Sequence, residues 1–488
     1  MKTSKLVHLH VRQLQSRWSR ASRARSLSLF TLHSSLFLLA GCATVGLDYE
    51  PPTATVSSEW TEAGDAAFAA EPRDSAAWWT ELDDPVLDRL IARSIDYGPD
   101  LREALARLTE ARALRGIAGS AQFPTLDSGV SYQRRGESER TPTGALTNDS
   151  HLYSAGLDAA WELDLWGRVR RSVEAAEAGL AASSEDVRAV ALTVAAETAL
   201  NYIELRAFQT RLAIARTNVE LQEQTLALVQ ARFDAGLVGE RDLAQAATNV
   251  AVTRSRVPAL ETGWRAAENR LSVLAGVPPG QLANELDVST AIPVPPVTVA
   301  IGLPADLIRN RPDVRRAERL LAAEHARIGL ATGDLYPRLA LSGSLGLAAD
   351  DASDLLNSGS DFFGIGPSIR WNLFDRSALH NRIAAQDART EQALVRWERA
   401  ILGALEEAET AMTAFVREQS RRSSLQEAAT QARRAVELAQ FEYNEGLSDF
   451  QAVLDSERAL AQLEDDLAQT GAAITIQYIV LQKALGDS

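Results

Sequence analysis

Few residues in this chain have the types and spacing that chemistry needs. Cys42 is the only cysteine among 488 residues, which rules out an internal disulfide and a cysteine-cluster metal site. Six histidines are scattered, and three of them (His8, His10, His33) fall within the first 41 residues. No HxxxH or CxxC pair is present to hold a metal. No GxSxG elbow, P-loop or zinc signature occurs, so no catalysis and no cofactor are expected. One reactive group has a telling context. The Cys42 thiol follows the small pair Ala40-Gly41 at the end of an apolar stretch, where the chemistry on offer is acylation of the sulfur.

The residues ahead of Cys42 form an address. Residues 1–41 carry seven Lys/Arg and no acid, followed by Ser26-Leu27-Ser28-Leu29-Phe30 and Leu36-Phe37-Leu38-Leu39. A basic lead, an apolar run and a small-residue cleavage site describe a secretory signal over 1–41. His33, Ser34 and Ser35 interrupt the run, which is too short for a membrane-spanning helix. Leu39-Ala40-Gly41-Cys42 resembles a bacterial lipobox, which implies cleavage before Cys42 and lipid attachment there. Ala43, rather than Asp, follows it, which in such lipoproteins implies sorting to the outer membrane. Removing the signal leaves 43 basic against 65 acidic residues, a net charge of −22. Such a chain repels nucleic acid. No other segment approaches about 18 consecutive apolar residues, so a membrane crossing has to be a closed β-barrel.

The elements that would build such a barrel occur twice. Pro99-Asp100-Leu101-Arg102 recurs as Pro312-Asp313-Val314-Arg315, and Phe123-Pro124 as Tyr336-Pro337, both at a shift of 213. Farther on the shift is 210, from Trp161 to Trp371 and from Gly236 to Gly446. Each half opens with a helical stretch, 101–119 or 314–333. Alternating segments follow. Leu126, Val130 and Tyr132 oppose Asp127, Ser131 and Gln133, and Tyr153, Leu157, Trp161 and Leu163 oppose Ser154, Asp158 and Glu162. In the second half Leu339, Leu341, Leu345 and Leu347 oppose Ser342 and Ser344, and Ile365, Ile369, Trp371 and Leu373 oppose Ser368, Arg370 and Asn372. A period of two marks strands with one apolar and one polar face. Four strands cannot close a membrane barrel, so several chains have to contribute.

A long alanine-rich run follows each strand pair. The run from 168 to 235 would span about 100 Å as a helix. Apolar residues recur every seven positions: Leu205, Leu212, Val219, Leu226 and Phe233, then Leu243, Val250, Val257, Trp264 and Leu271. Val453, Leu460, Leu467, Ile474 and Leu481 repeat the second series 210 residues later. The series Phe415, Arg422, Ala429, Val436 and Tyr443 is weaker. This period implies coiled-coil hairpins, with a kink expected at Pro258 and turns at Gly236 and Gly446.

Taken together the pattern resembles the TolC family of outer-membrane efflux proteins, in its lipoprotein branch serving resistance-nodulation-division (RND) pumps, the NodT/OprM-like group. Val45-Gly46-Leu47-Asp48-Tyr49-Glu50-Pro51-Pro52 is close to that group's VGPDY opening, with Leu47 replacing the usual proline. Trp78-Trp79 with Asp84-Pro85, the junction from Trp161 to Arg168, and the segments 302–308 and 311–314 also match. The resemblance covers nearly all of the chain beyond Cys42. It implies a mainly α fold with a small β part. Three chains would form an α-barrel of coiled-coil hairpins and share a 12-stranded transmembrane β-barrel.

The expected organisation is a signal over 1–41, a lipid-anchored segment over 42–85, a first repeat over 86–276, a linker over 277–303 and a second repeat over 304–488. Hairpins of strands are expected at 125–163 and 339–374, and helical hairpins at 168–275 and 376–486. The resemblance further implies a passive homotrimeric duct in the outer membrane. A periplasmic adaptor would bind at the tips, Gly236 and Gly446, and an inner-membrane RND-type pump would supply the energy. Asp242 and Tyr443 match positions of the family's inter-helix gate links, and Asp455 matches an acidic ring. Ala452 and Ser448 depart from the pattern where a second acid and a basic partner can occur. The competing readings are a non-transporting coiled-coil envelope scaffold and a type I secretion duct.

Overall fold

The computed structural model describes residues 44–69, 77–136 and 150–486. Cys42 and the signal segment lie outside them. After the 3₁₀ turn Trp78–Leu82, helices α1 (Pro85–Tyr97) and α2 (Pro99–Ser120) lead to strands β2 (Thr125–Arg135) and β3 (Ser150–Leu163). Helices α3 (Arg168–Asp234) and α4 (Glu240–Leu274) complete the first half. A connection carrying α5 (Ala283–Leu286) and β4 (Val299–Ala300) leads to α6 (Pro304–Asn310). The second half then runs α7 (Pro312–Gly333), β5 (Arg338–Ala349), β6 (Asp361–Arg370), α8 (Arg376–Asn444) and α9 (Phe450–Leu485). The short strand β1 (Phe68–Ala69) pairs in parallel with β4. No described helix is long and apolar enough to cross a membrane.

The repeat is physical, not only a matter of spelling. The connection from Arg135 to Ser150 is three residues longer than that from Ala349 to Asp361, which is where the shift falls from 213 to 210. The Trp161 indole donates to the Gln122 carbonyl at 3.0 Å, and the Trp371 indole donates to the equivalent Leu335 carbonyl at 3.0 Å. Each bond ties the end of a strand to the residue just ahead of Phe123-Pro124 or Tyr336-Pro337, so helix and sheet join the same way in both halves.

The long helices start where the strands end. At α3, Gly167 takes a left-handed φ of 79°, and the Asp164 carboxylate accepts from the amides of Val169 (3.1 Å) and Arg170 (2.8 Å). Those amides have no intrahelical partner, so the carboxylate satisfies both and favours the helix dipole. Glu162 holds Arg168 in a two-pronged pair at 3.0 and 2.8 Å. Pro258 lies exposed within α4, which continues as one helix from Glu240 to Leu274.

The main core forms midway along the hairpins. Trp78 is fully buried and meets Tyr478 edge-on at 6.4 Å, among Leu87, Leu90, Ile91, Ile203, Leu271 and Phe415. The Tyr478 hydroxyl donates to Glu81 at 2.6 Å. Arg206 is fully buried, with its guanidinium 4.8 Å from the Tyr202 ring centroid. Its Nη1 donates to Gln209 Oε1 (2.7 Å) and to the carbonyls of Leu286 (3.3 Å) and Val288 (2.6 Å). These acceptors on Nη1 pin the connection to the core, while Nε and Nη2 are buried without a partner among the described residues. Burial, with the Asp84 carboxylate 2.6 Å from its hydroxyl, pushes Tyr202 up to about 12.

The segment after Cys42 is clamped to the sheet–helix junction. Val45 N donates to Trp166 O at 2.9 Å. Arg171, 3% exposed, donates to the carbonyls of Val45 (3.0 Å) and Gly46 (3.1 Å) and to Asp48 (2.9 Å). A Cβ on Gly167 would lie 2.5 Å from Thr44 Cγ2 and 3.1 Å from Thr44 Cα. Gly167→Ala therefore combines left-handed strain with a clash against backbone, and an overall loss of about 1–3 kcal/mol is expected. Thermal melts of the detergent-solubilised protein should show it, together with faster proteolysis ahead of Tyr49. An unchanged melt would mean that the clamp carries no stability.

Candidate functional site

The sheet has the order β2-β3-β5-β6, antiparallel throughout, with β2 and β6 left as open edges. Its register keeps the alternating residues within the four strands on the expected faces, while Trp371, Asn372 and Leu373 lie beyond the end of β6. Leu126, Val130 and Tyr132 share a face with Leu157, Trp161, Leu341, Leu345, Phe363 and Ile365. Several are nearly bare, with Val130 84% and Phe363 81% exposed. The other face carries Asp127, opposite Asp158, which is opposite Ser344. A cavity of about 400 Å³ lies on that polar face, lined by Asp127, Asp158, Ser342, Ser344, Gly364 and Gly366. On the same face a Cβ on Gly346 would lie 2.6 Å from Ala155 O and 2.8 Å from Gly156 Cα. Glycine is needed where the neighbouring strand approaches this closely.

The far ends of the long helices are a matched pair of turns. Gly236 and Gly446 both have φ of 72°. Leu237 N donates to Arg232 O (2.9 Å) and Gly236 N to Phe233 O (2.8 Å), while Leu447 N donates to Glu442 O (2.8 Å) and Gly446 N to Tyr443 O (3.1 Å). These are Schellman closures, which satisfy the last free carbonyls and need a left-handed residue. They leave Leu237 and Leu447 73% and 75% exposed at the tips. An apolar pair held out on rigid turns suits docking of another protein.

The three gate candidates sit near these tips without joining one another. Asp242 lies in the first turn of α4, and the nearest cation is Arg241 at 3.8 Å. Tyr443 is buried against Phe450, with ring centroids 5.4 Å apart, and its hydroxyl has no partner among the described residues. No hydrogen bond links it to Asp242. Asp455 is exposed on the second turn of α9, accepting from Gln451 at 2.9 Å with Arg458 at 3.8 Å. Cys42 lies outside the described residues.

Two tip residues escaped the sequence reading. Arg232, at the end of α3, donates to the carbonyls of Tyr443 and Asn444 at 2.9 Å each and covers the Tyr443 ring at 4.4 Å. It thereby caps the negative end of α8. Glu457 sits in the apolar stripe of α9 between Leu454 and Ala461, 9% exposed. Thr225 of α3 donates to its Oε1 at 2.9 Å and Gln440 of α8 at 3.2 Å, while its Oε2 has no partner. The Thr225 bond joins the first helical hairpin to the second, and the Gln440 bond lies within the second. Each signal was legible only with hindsight: Glu457 as a polar residue in a core stripe, Arg232 as a departure from its repeat counterpart Glu442.

An apolar-faced sheet with two open edges, set above long coiled hairpins, defines a protein that supplies one share of a membrane barrel and of the tunnel beneath it. A family model described as outer membrane efflux protein matches residues 90–277 and 303–487. The chain belongs to that family of outer-membrane efflux channels, the TolC family, in its NodT-like branch. Nodulation protein T of Rhizobium leguminosarum bv. trifolii is 29% identical over 461 residues, 94% of this chain and 97% of that protein. Pyoverdine export outer membrane protein OpmQ of Pseudomonas putida is 30% identical over 467 residues, 95% of this chain and 97% of that protein. The solved outer-membrane channel OprN has a TM-score of 0.86 at 35% identity, covering 91% of this chain and 99% of that one.

Burial raises the pKa of Glu457 above its ordinary value of 4.5, partly offset by the Thr225 and Gln440 bonds. A raised folded-state pKa means that this group's stability contribution is complete below the unfolded value and is lost as pH rises through the folded one. Wild type should therefore lose stability relative to Glu457→Gln as pH rises above about 4.5. Parallel pH-dependent melts of the two proteins check this. Parallel curves above that pH would show that Glu457 ionises freely.

Proposed function

We propose that three copies of the chain form a passive outer-membrane duct that completes an efflux route begun by an inner-membrane RND-type pump. The observation that carries this reading is the four-stranded sheet with one apolar face, one polar face and two unpaired edges. In lipid no edge can stay unpaired, because each free backbone group there costs several kcal/mol. Three sheets joined edge to edge give a closed barrel of twelve strands, within the range of natural membrane barrels. The Val130–Phe363 face meets lipid and the Asp127–Asp158 face lines the water-filled lumen. Apolar residues left exposed on α2, Leu114 (56%) and Ile117 (67%), and on α8, Leu402 (67%), suit the flanks of neighbouring chains.

The long hairpins form the periplasmic tunnel, and the adaptor binds at Leu237 and Leu447 beside the tip glycines. Asp242, Tyr443 and Asp455 belong to the resting closure of the tunnel, with three Asp455 carboxylates converging near its axis. Cys42 carries the lipid. The attachment of Val45 to Trp166 supports that placement, since it holds the chain three residues beyond Cys42 at the foot of the sheet. The protein binds, guides and excludes; it catalyses nothing, and energy comes from the pump.

Single-channel recording in planar bilayers tests the duct. The purified protein should conduct and favour cations, because Asp127 and Asp158 form acidic rings in the lumen. Asp127→Asn with Asp158→Asn should bring the cation-to-anion permeability ratio towards one. A folded trimer that never conducts, even after Asp242→Ala and Tyr443→Phe, would sink the duct.

Lipid attachment is tested separately. Cys42→Ala behind a non-lipoprotein signal should leave much of the transport intact, since the barrel anchors the trimer by itself. Complete loss of trimer and efflux would show that the acyl chains are essential for assembly.

A further inference from the structure

The apolar face of the first strand pair ends in basic residues. On β2 the residues that share the face of Val130 are Leu126, Ser128, Tyr132 and, last, Arg134. On β3 they are His151, then Tyr153, Ala155, Leu157, Ala159 and Trp161. Arg134 and His151 stand directly opposite each other in the register, and both are exposed. The Tyr132 hydroxyl and His151 Nδ1 share a hydrogen bond of 2.8 Å, and the Tyr132 and Tyr153 rings lie 4.7 Å apart. With the phenol donating to Nδ1, a neutral imidazole keeps its proton on Nε2 and can donate from there.

This basic pair lies at the end of the sheet remote from the helices. Trp161 is tied to the helical entry through Gln122, and His151 lies ten residues farther along β3. Ten residues of strand cover about 33 Å, or about 25 Å along the membrane normal at the tilt of a barrel strand. That is the height of the apolar band of an outer-membrane barrel. In the ring of three copies, on which this inference rests, Trp161 marks the periplasmic boundary of the lipid, and Tyr132 and Tyr153 mark the outer one. Arg134 and His151 then stand at the headgroups of the outer leaflet. They face lipid and not the lumen, because the register puts them on the face of Val130 and Leu157.

The second half does not repeat the pair. Shifts of 213 and 210 carry Arg134 and His151 to Leu347 and Asp361, which also stand directly opposite each other. The matching place is apolar and acidic. A ring of six similar strand pairs would therefore alternate places that attract an anion with places that repel one.

The outer leaflet of a bacterial outer membrane is rich in phosphorylated glycolipid, whose phosphates lie at this depth. A guanidinium forks phosphate oxygens, and the adjacent imidazole supplies a further donor. Tyrosine rings beneath them suit the zone where acyl chains give way to headgroups. We propose that Arg134 and His151, seated on Tyr132 and Tyr153, bind a headgroup phosphate of the outer-leaflet glycolipid, one per chain. The site borders the open edge of β2, where the sheet of the next chain joins, so the bound lipid covers the joint between chains and helps to hold the ring closed.

Native mass spectrometry of the detergent-solubilised protein with diphosphorylated lipid A tests the proposal. Wild type should bind up to three molecules per trimer. Arg134→Gln with His151→Gln should weaken binding by about tenfold, and dephosphorylated lipid A should bind wild type about as weakly. Leu347→Arg with Asp361→His should create a second place in each chain and raise the number bound towards six. Thermal melts establish that each variant is folded, and Arg134→Gln alone decides the matter if the double variant is not. Unchanged affinity in the folded variant overturns the proposal, as does equally tight binding of phosphatidylglycerol by wild type. If wild type is a monomer, the duct reading fails instead. Phosphate-dependent binding to that monomer, lost in Arg134→Gln, still supports the site, and binding that ignores the phosphate or the substitution overturns it.

Discussion

An unpaired strand edge cannot be left in hydrocarbon, and the rest of this molecule follows from that constraint. Strands β2 and β6 end the sheet with free backbone groups, while the face bearing Val130, Phe363 and Ile365 is too apolar to be left in water. In water the apolar face is a liability; in lipid the edges are. One sheet alone resolves neither. Pairing edge to edge with identical sheets resolves both, and it forces a ring whose inner surface is the polar face. The ring in turn fixes where the long helices stand, because Trp161 and Trp371 bind each strand end to the helical entry of its own repeat.

A duplicated chain in a ring of three has six nearly equivalent positions, and this sequence uses the difference between equivalent places. Gly98 and Arg311 occupy matching sites ahead of α2 and α7. A Cβ at Gly98 would lie 3.0 Å from Leu274 O, whereas Arg311 donates to the matching Ala484 carbonyl at 2.8 Å and also pairs with Asp313 and Glu407. Both arrangements close the same joint, one by backbone proximity and one by a buried guanidinium. The second half is thus stapled by charge where the first relies on close packing. Divergence of this kind lets a ring built from similar parts have firm joints in some places and soft joints in others.

Much of this was legible in the sequence because it rests on period and repetition. The alternation of Leu126, Val130 and Tyr132 with Asp127 and Ser131 survived intact in the sheet register, since a one-residue slip would have exposed every charge to lipid. The tip turns followed from Gly236 and Gly446, whose left-handed φ few other residues adopt. What stayed hidden depends on long-range geometry. Nothing near Arg206 in sequence shows that the distant Leu286 and Val288 carbonyls accept from its Nη1. Asp242 and Tyr443 were matched by position, yet Tyr443 turns its ring to Phe450 and Arg232 rather than its hydroxyl to Asp242. The seven-residue series likewise counted apolar positions, while the stripe that is buried also includes Gln209, Asn218, Gln222, Asn249 and Glu457.

Those buried polar residues explain how one pair of coils can be firm at one end and yielding at the other. The main core gathers Trp78, Tyr202, Phe415 and Tyr478 with many aliphatic residues, whereas the tip cluster contains only Val229, Ala246, Ala439, Tyr443, Phe450, Val453 and Leu454. Between them lie a small cluster of Leu212, Ala215 and Leu260 and the buried amides of Asn218, Gln222 and Asn249. At about 25 cal/mol per Å² of apolar surface, the lower coil gains far less from staying closed than the main core does. Polar contacts there set which helices stay together more than how tightly they are held. A tunnel of uniformly apolar coils would have stability and no means of opening. A tunnel whose apolar content falls towards the tips can open from that end while the barrel and main core hold the ring.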